Sequence, residues 1–142
     1  KRFIGLPLSS ITNVDERIKL IRTALEDTSI GFFLLDNLTG ITNQMNSEVE
    51  ASMLKGLLHS TAFNNNLVTV AVCHLNKQGS PIGHTGSTVE KASSLNLILT
   101  LDAERGITLV ENKKCRLSKL PNFYFSVNPA GYVQEGIYMP FP

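Results

Sequence analysis

Two unbroken apolar runs dominate the N-terminal half of the chain. Gly31-Phe32-Phe33-Leu34-Leu35 runs into Asp36-Asn37, and Leu67-Val68-Thr69-Val70-Ala71-Val72-Cys73 runs into His74. Such runs predict central strands of a parallel sheet, covered on both faces. Before and between them the apolar period lengthens. Val14, Ile18, Ile21 and Leu25 recur at helical spacing, with Asn13 placed as a cap and Asp15 and Glu16 in the first turn, where the helix dipole favours acids. Asp27-Thr28-Ser29 closes that helix. Ser47-x-x-Glu50 reads as a capping box for a second helix carrying Val49, Met53, Leu54, Leu57 and Leu58, which Asn64-Asn65-Asn66 stops. Phe3 to Leu8 predicts a short strand that ends at Pro7, followed by a polar turn over Ser9 to Asn13. Strand–helix–strand–helix–strand predicts an α/β fold with a parallel sheet and right-handed crossovers.

After His74 the pattern changes. His74 to Gly86 is a loop punctuated by Gly79, Pro81, Gly83 and Gly86, and Ser87 to Ser93 predicts a short helix. Leu95 to Leu101, Gly106 to Glu111, Asn122 to Val127 and Gly131 to Tyr138 are strand-like and joined by short turns. They predict an antiparallel extension of the sheet. No internal repeat or low-complexity linker interrupts the chain. Its 142 residues fit one domain, 1–142.

Composition narrows the partners. With 42% hydrophobic and 18% charged residues and a net charge of +1, the chain has no global attraction for polyanions, so any nucleic-acid contact must come from a local patch. No apolar run is long enough to span a membrane, and no signal-peptide pattern occurs. Two cysteines, Cys73 and Cys115, make a disulfide scaffold an unsuitable reading and a reducing cytoplasm the simplest compartment. Asn37-Leu38-Thr39 matches a glycosylation sequon, but at a strand end it has no support as an acceptor. The chain opens Lys1-Arg2-Phe3 without Met and enters a strand-like run at once, which reads as a piece of a longer protein.

The chemistry concentrates at strand ends. In parallel sheets ligands bind beyond the carboxyl ends of the strands, so Asp36 and His74 are expected at one crevice. An acid after four apolar residues is how nucleotide-hydrolysing sheets hold the water shell of a magnesium ion on phosphate; the plainer alternative is that Asp36 opens a turn. A strand-end His can bond a terminal phosphate or an attacking water; the plainer fate is a bond to backbone. A metal site from Cys73, His74 and Cys115 lacks the usual ligand spacing. The run Gly79 to Thr88 invites comparison with a phosphate-binding loop, yet Gly86, not Lys, precedes Ser87, and G-x-x-x-x-G-K-[ST] is required. It suits a mobile loop with Lys77 and His84 as polar tips. Lys113-Lys114-Cys115-Arg116-Leu117-Ser118-Lys119 places four cations in seven residues, either as phosphate contacts or as a solvated turn.

In this order the pieces resemble the RecA-like motor core of hexameric replicative helicases of the DnaB and RepA type. FFLLDNL resembles the second nucleotide motif, and VTVAVCHLNK the strand ending in the γ-phosphate sensor. GHTGSTVEKASSLNLILTLD and LVENKKCRLSKLPNFYFSV resemble the segments that follow, over roughly residues 1 to 128. The resemblance implies a RecA-like, mainly parallel sheet flanked by helices with an antiparallel C-terminal β extension. It implies Asp36 holding Mg through water, His74 at the ATP phosphate, and Lys114 and Arg116 reaching a neighbouring subunit's nucleotide. Loops Thr39 to Asn46 and Leu75 to Thr85, with Lys77 and His84, would touch single-stranded DNA in a homo-oligomeric, hexameric ring. Asn96 or Ser94 stands where the family usually has Asp. The P-loop and the strand with the catalytic Glu are absent from the sequence. The chain therefore reads as the C-terminal part of an ATPase domain, inactive alone, with ATP and Mg bound only in the complete protein. The rival readings are a non-catalytic RecA-like assembly or DNA-binding module, and an unrelated α/β enzyme using Asp36 and His74 as acid and base.

Overall fold

A computed structural model describes residues 4–26, 30–64, 66–118 and 120–135. Its contacts divide the chain into two compact units, Lys1–Ala92 and Ser93–Pro142. The first is helical with a small parallel sheet; the second is antiparallel β. The fold class is α/β.

In the first unit, helix α1 (Val14–Leu25) is followed by strand β1 (Phe32–Leu35), helix α2 (Glu48–Asn64), strand β2 (Val68–Ala71) and helix α3 (Gly83–Ala92). The strand expected over Phe3 to Leu8 does not form in its described part. Residues 4–7 are irregular and Leu8–Ser10 make a 3-10 turn. Pro7 removes a ladder donor there, and no neighbouring strand pairs with the segment among the described residues. Phe3, and the helix stop at Asp27 to Ser29, lie outside the described residues.

α1 starts where the cap pattern places it: the Asn13 side chain accepts from the N–H groups of Asp15 (2.8 Å) and Glu16 (3.3 Å). Val14, Ile18, Ile21 and Leu25 form its buried stripe. α2 starts at half of a capping box. Ser47 Oγ accepts from the Glu50 N–H at 3.2 Å, but the Glu50 carboxylate reaches past the cap to the N–H groups of Asn43 (2.8 Å) and Gln44 (3.0 Å). The buried face of α2 is Ala51, Leu54, Leu57 and Thr61. Val49, expected in the apolar set, is exposed instead.

β1 and β2 are parallel, with Leu35 opposite Ala71. Each strand alternates, so only one face packs on the core. Leu35 is buried with Leu38, Ile41, Leu54, Leu57 and the α1 stripe. Phe32, Leu34, Val68 and Val70 on the other face are exposed, contrary to the expectation of cover on both faces. Unbroken hydrophobicity reports what both faces prefer, not which of them is covered within this chain.

The second unit is a meander of β3 (Leu95–Asp102), β4 (Ile107–Cys115), β5 (Phe123–Val127) and β6 (Val133–Glu135), paired antiparallel in that order. These are the four runs read from the sequence, though they form a sheet of their own rather than extending β1–β2. β4 is longer than expected. Lys113, Lys114 and Cys115 belong to the strand, with Lys114 opposite Asn96 beyond a bulge at Asn96/Leu97, so the start of the basic run is ladder and not turn. Residues 136–138 of the fourth run lie outside the described residues.

Candidate functional site

The chains leaving β1 and β2 stay paired beyond the ladder. The Val72 N–H donates to Leu35 O at 2.9 Å, and the Leu38 N–H donates to Val72 O at 3.0 Å. These bonds carry Asp36, Asn37 and His74 out at one edge, the carboxyl edge of two adjacent parallel strands. The peptide between Asp36 and Asn37 is cis. Asp36 is exposed. The imidazole of His74 meets Asn37 rather than Asp36, with Asn37 Nδ2 3.1 Å from His74 Nε2. The Thr39 hydroxyl donates to Asn37 Oδ1. Beyond its sequon, Asn37 carries no signal in the sequence, since an Asn after a strand-end Asp reads as ordinary turn chemistry.

The segment after His74, expected to be a mobile loop, folds back on itself through short-range bonds. Leu75 bridges Pro81, and Asn76 Oδ1 accepts from the N–H groups of Gln78 (2.9 Å) and Ser80 (3.0 Å). Lys77 sits exposed in this turn. The helix expected to start at Ser87 starts at Gly83, so His84 lies exposed in its first turn. Gly83 and Gly86 serve close packing. Gly83 has φ +68°, and a Cβ there would lie 2.4 Å from Met45 O; a Cβ on Gly86 would lie 2.8 Å from Pro81 Cβ and 3.0 Å from Cys73 Sγ. The Thr85 N–H donates to that same Met45 carbonyl at 3.0 Å, which satisfies one of the bare donors at the helix start.

Under the strand edge, Cys73 is a free, half-buried thiol. Burial pushes it above the ordinary value of 9.0; a bond from the Ile82 backbone opposes this, and the charge of Glu90 adds to it. A thiol held protonated is a poor nucleophile and a poor metal ligand. Among the described residues no three of His, Cys, Asp and Glu come together as a metal site. A lone exposed carboxylate suits a cation held through waters, with most of the inner ligands coming from phosphate and solvent.

Lys114 and Arg116 belong to the second unit. Lys114 is half-buried in β4, and Arg116 follows the end of the strand, its N–H donating to Ser94 O at 3.0 Å. The structure thus brings Asp36, Asn37 and His74 together in one unit and places Lys114 and Arg116 at the end of β4 in the other.

A separate groove of about 530 Å³ opens where α1 and α2 begin, lined by Asn13, Asp15, Asn43, Ser47 and Glu50 among others. Its helix termini are already filled by Asn13, Ser47 and the Glu50 carboxylate, so it offers anions little. Behind it lies a residue the sequence reading missed. The buried Arg17 guanidinium donates from Nε to Ile11 O at 2.5 Å, and from Nη1 to Ile41 O at 2.9 Å and to Asn43 Oδ1 at 3.1 Å. Asn43 in turn donates to Thr12 O at 2.8 Å. Arg17 sits within the apolar stripe of α1, and a cation in that position was the available signal.

No family model and no curated protein matches the chain. Among the described residues no helix is long and apolar enough to cross a membrane.

Proposed function

We propose that the chain is the C-terminal part of a RecA-like ATPase core, from a helicase of DNA replication or of a mobile element. The observation that carries the reading is the placement of Asp36 and His74 just beyond the carboxyl ends of adjacent parallel strands, where α/β sheets hold nucleotides. The order of the four resembling segments supports it. Magnesium, when bound with ATP, neutralises charge on the transferring phosphate. Asp36 orients waters of its shell, and His74 donates to a phosphate oxygen. Lys114 and Arg116 act on a neighbouring subunit's nucleotide. Lys77, exposed in the turn after His74, and His84, at the start of α3, lie toward single-stranded DNA.

The P-loop this reading requires is not among the 142 residues. The test is therefore made on the whole gene product: turnover of Mg-ATP with and without single-stranded DNA. The expected result is DNA-stimulated hydrolysis that Asp36→Ala and His74→Ala each reduce by at least about a hundredfold, the scale of a lost positioning or transition-state group. A whole protein that assembles on DNA without hydrolysing ATP would establish the non-catalytic module instead.

A further inference from the structure

The contact between Asn37 and His74 fixes more than position. Asn37 Nδ2 lies 3.1 Å from His74 Nε2. An amide nitrogen carries two hydrogens and does not accept, so Nε2 must be the acceptor. A neutral imidazole that accepts at Nε2 carries its proton on Nδ1. At the amide's other end the Thr39 hydroxyl donates to Asn37 Oδ1, which leaves Nδ2 for the ring. The turn that carries both side chains is anchored independently of them. Leu38, between them, is fully buried, and its N–H donates to Val72 O, two residues before His74. The backbone sets the spacing, and the polar side chains choose the proton's place within it.

We infer that Asn37 is a positioning residue that holds His74 as the neutral Nδ1–H tautomer, with Thr39 setting the amide, so that Nδ1–H is the ring's only donor. What that donor meets rests on the proposed function, where it is an anionic phosphate oxygen. The location of the proton does not rest on it.

The experiment is a long-range proton–nitrogen correlation spectrum of the ¹⁵N-labelled chain at about pH 8, above the usual histidine range. Signals of the three rings are assigned with His59→Gln and His84→Gln. Wild-type His74 is expected to show a protonated Nδ1 and an unprotonated Nε2. Asn37→Asp puts an acceptor-only carboxylate against the ring, so the pattern should reverse, with the proton on Nε2. Thr39→Val lets the amide turn over, so the ring should show a mixture of both tautomers. An amide spectrum unchanged outside the Asn37–His74 turn establishes that each variant is folded. A protonated Nε2 in wild type overturns the inference even if no variant folds, and so does an unreversed pattern in folded Asn37→Asp. A correct tautomer in a whole protein without ATPase activity would instead sink the functional reading and leave this one standing.

Discussion

Glycines that look alike in the sequence do opposite work in the structure. Gly56 lies inside α2 with nothing within 4 Å of a Cβ, so it contributes only backbone freedom. Gly56→Ala should stabilise the chain by about 0.5–1 kcal/mol. Gly86 has Pro81 and Cys73 where a Cβ would go, and Gly86→Ala should destabilise by about 1–3 kcal/mol, the usual cost of overpacking. Opposite shifts of the urea midpoint would establish the difference; a Gly86→Ala chain as stable as wild type would show that α3 is free to move away. Cys73, beside Gly86, gives a pH signature. Its thiol is raised by burial, so the folded chain holds the proton more tightly than the unfolded chain. Above the ordinary value of 9.0, unfolding releases that proton, and the stability contributed by the buried neutral thiol declines as pH rises; below it, none is lost. Comparing wild type with Cys73→Ala isolates the effect from other titrations. The stability advantage of wild type should be constant at neutral pH and shrink above about pH 9.

At the scale of elements, the parts written in short-range chemistry were legible. Asn13 with Asp15 and Glu16 marks the start of α1, and the stripe from Val14 to Leu25 gives its buried face. The parts decided by tertiary contact were not. Nothing local tells that Gly83 can open a helix, since its φ of +68° and the Met45 carbonyl 2.4 Å from where a Cβ would lie are features of the folded chain. Nothing local tells that Glu50 will bypass its own cap for Asn43 and Gln44. The same holds for Arg17, whose partners at Ile41 and Asn43 lie far along the chain. Together Arg17, Asn43 and Glu50 tie the loop after β1 to the starts of both helices. The prediction at this scale concerns that tie. Arg17→Met keeps most of the apolar stem but leaves two carbonyls and the Asn43 amide oxygen without their donor, which should cost about 2–4 kcal/mol. Amide exchange of residues 41–44 should accelerate in the variant more than that of α1. Uniform acceleration across the unit would mean that Arg17 supports the core generally and not this loop.

For the whole molecule, the candidate site was half legible. Asp36 and His74 were readable because two apolar runs end in them and parallel strands bring such ends to one edge. Asn37 was not, because its importance lies in a contact between strands. The proposed function has its sharpest test at Arg116. In that proposal Arg116 reaches the nucleotide of a neighbouring subunit, and Arg suits that task because its planar fork engages phosphate oxygens two at a time. In the whole protein, Arg116→Ala should keep nucleotide binding and lower turnover by roughly a thousandfold or more, the scale of a lost arginine finger. Asp36→Ala should be inactive for a different reason, in its own subunit. Mixing the two variants is the decisive measurement. Some interfaces in a mixed ring then pair an intact Asp36 with an intact Arg116, so the mixture should turn over faster than either variant alone. Mixed assemblies that form yet show no recovery would place Arg116 outside the site, or in the same subunit as the Asp36 it serves.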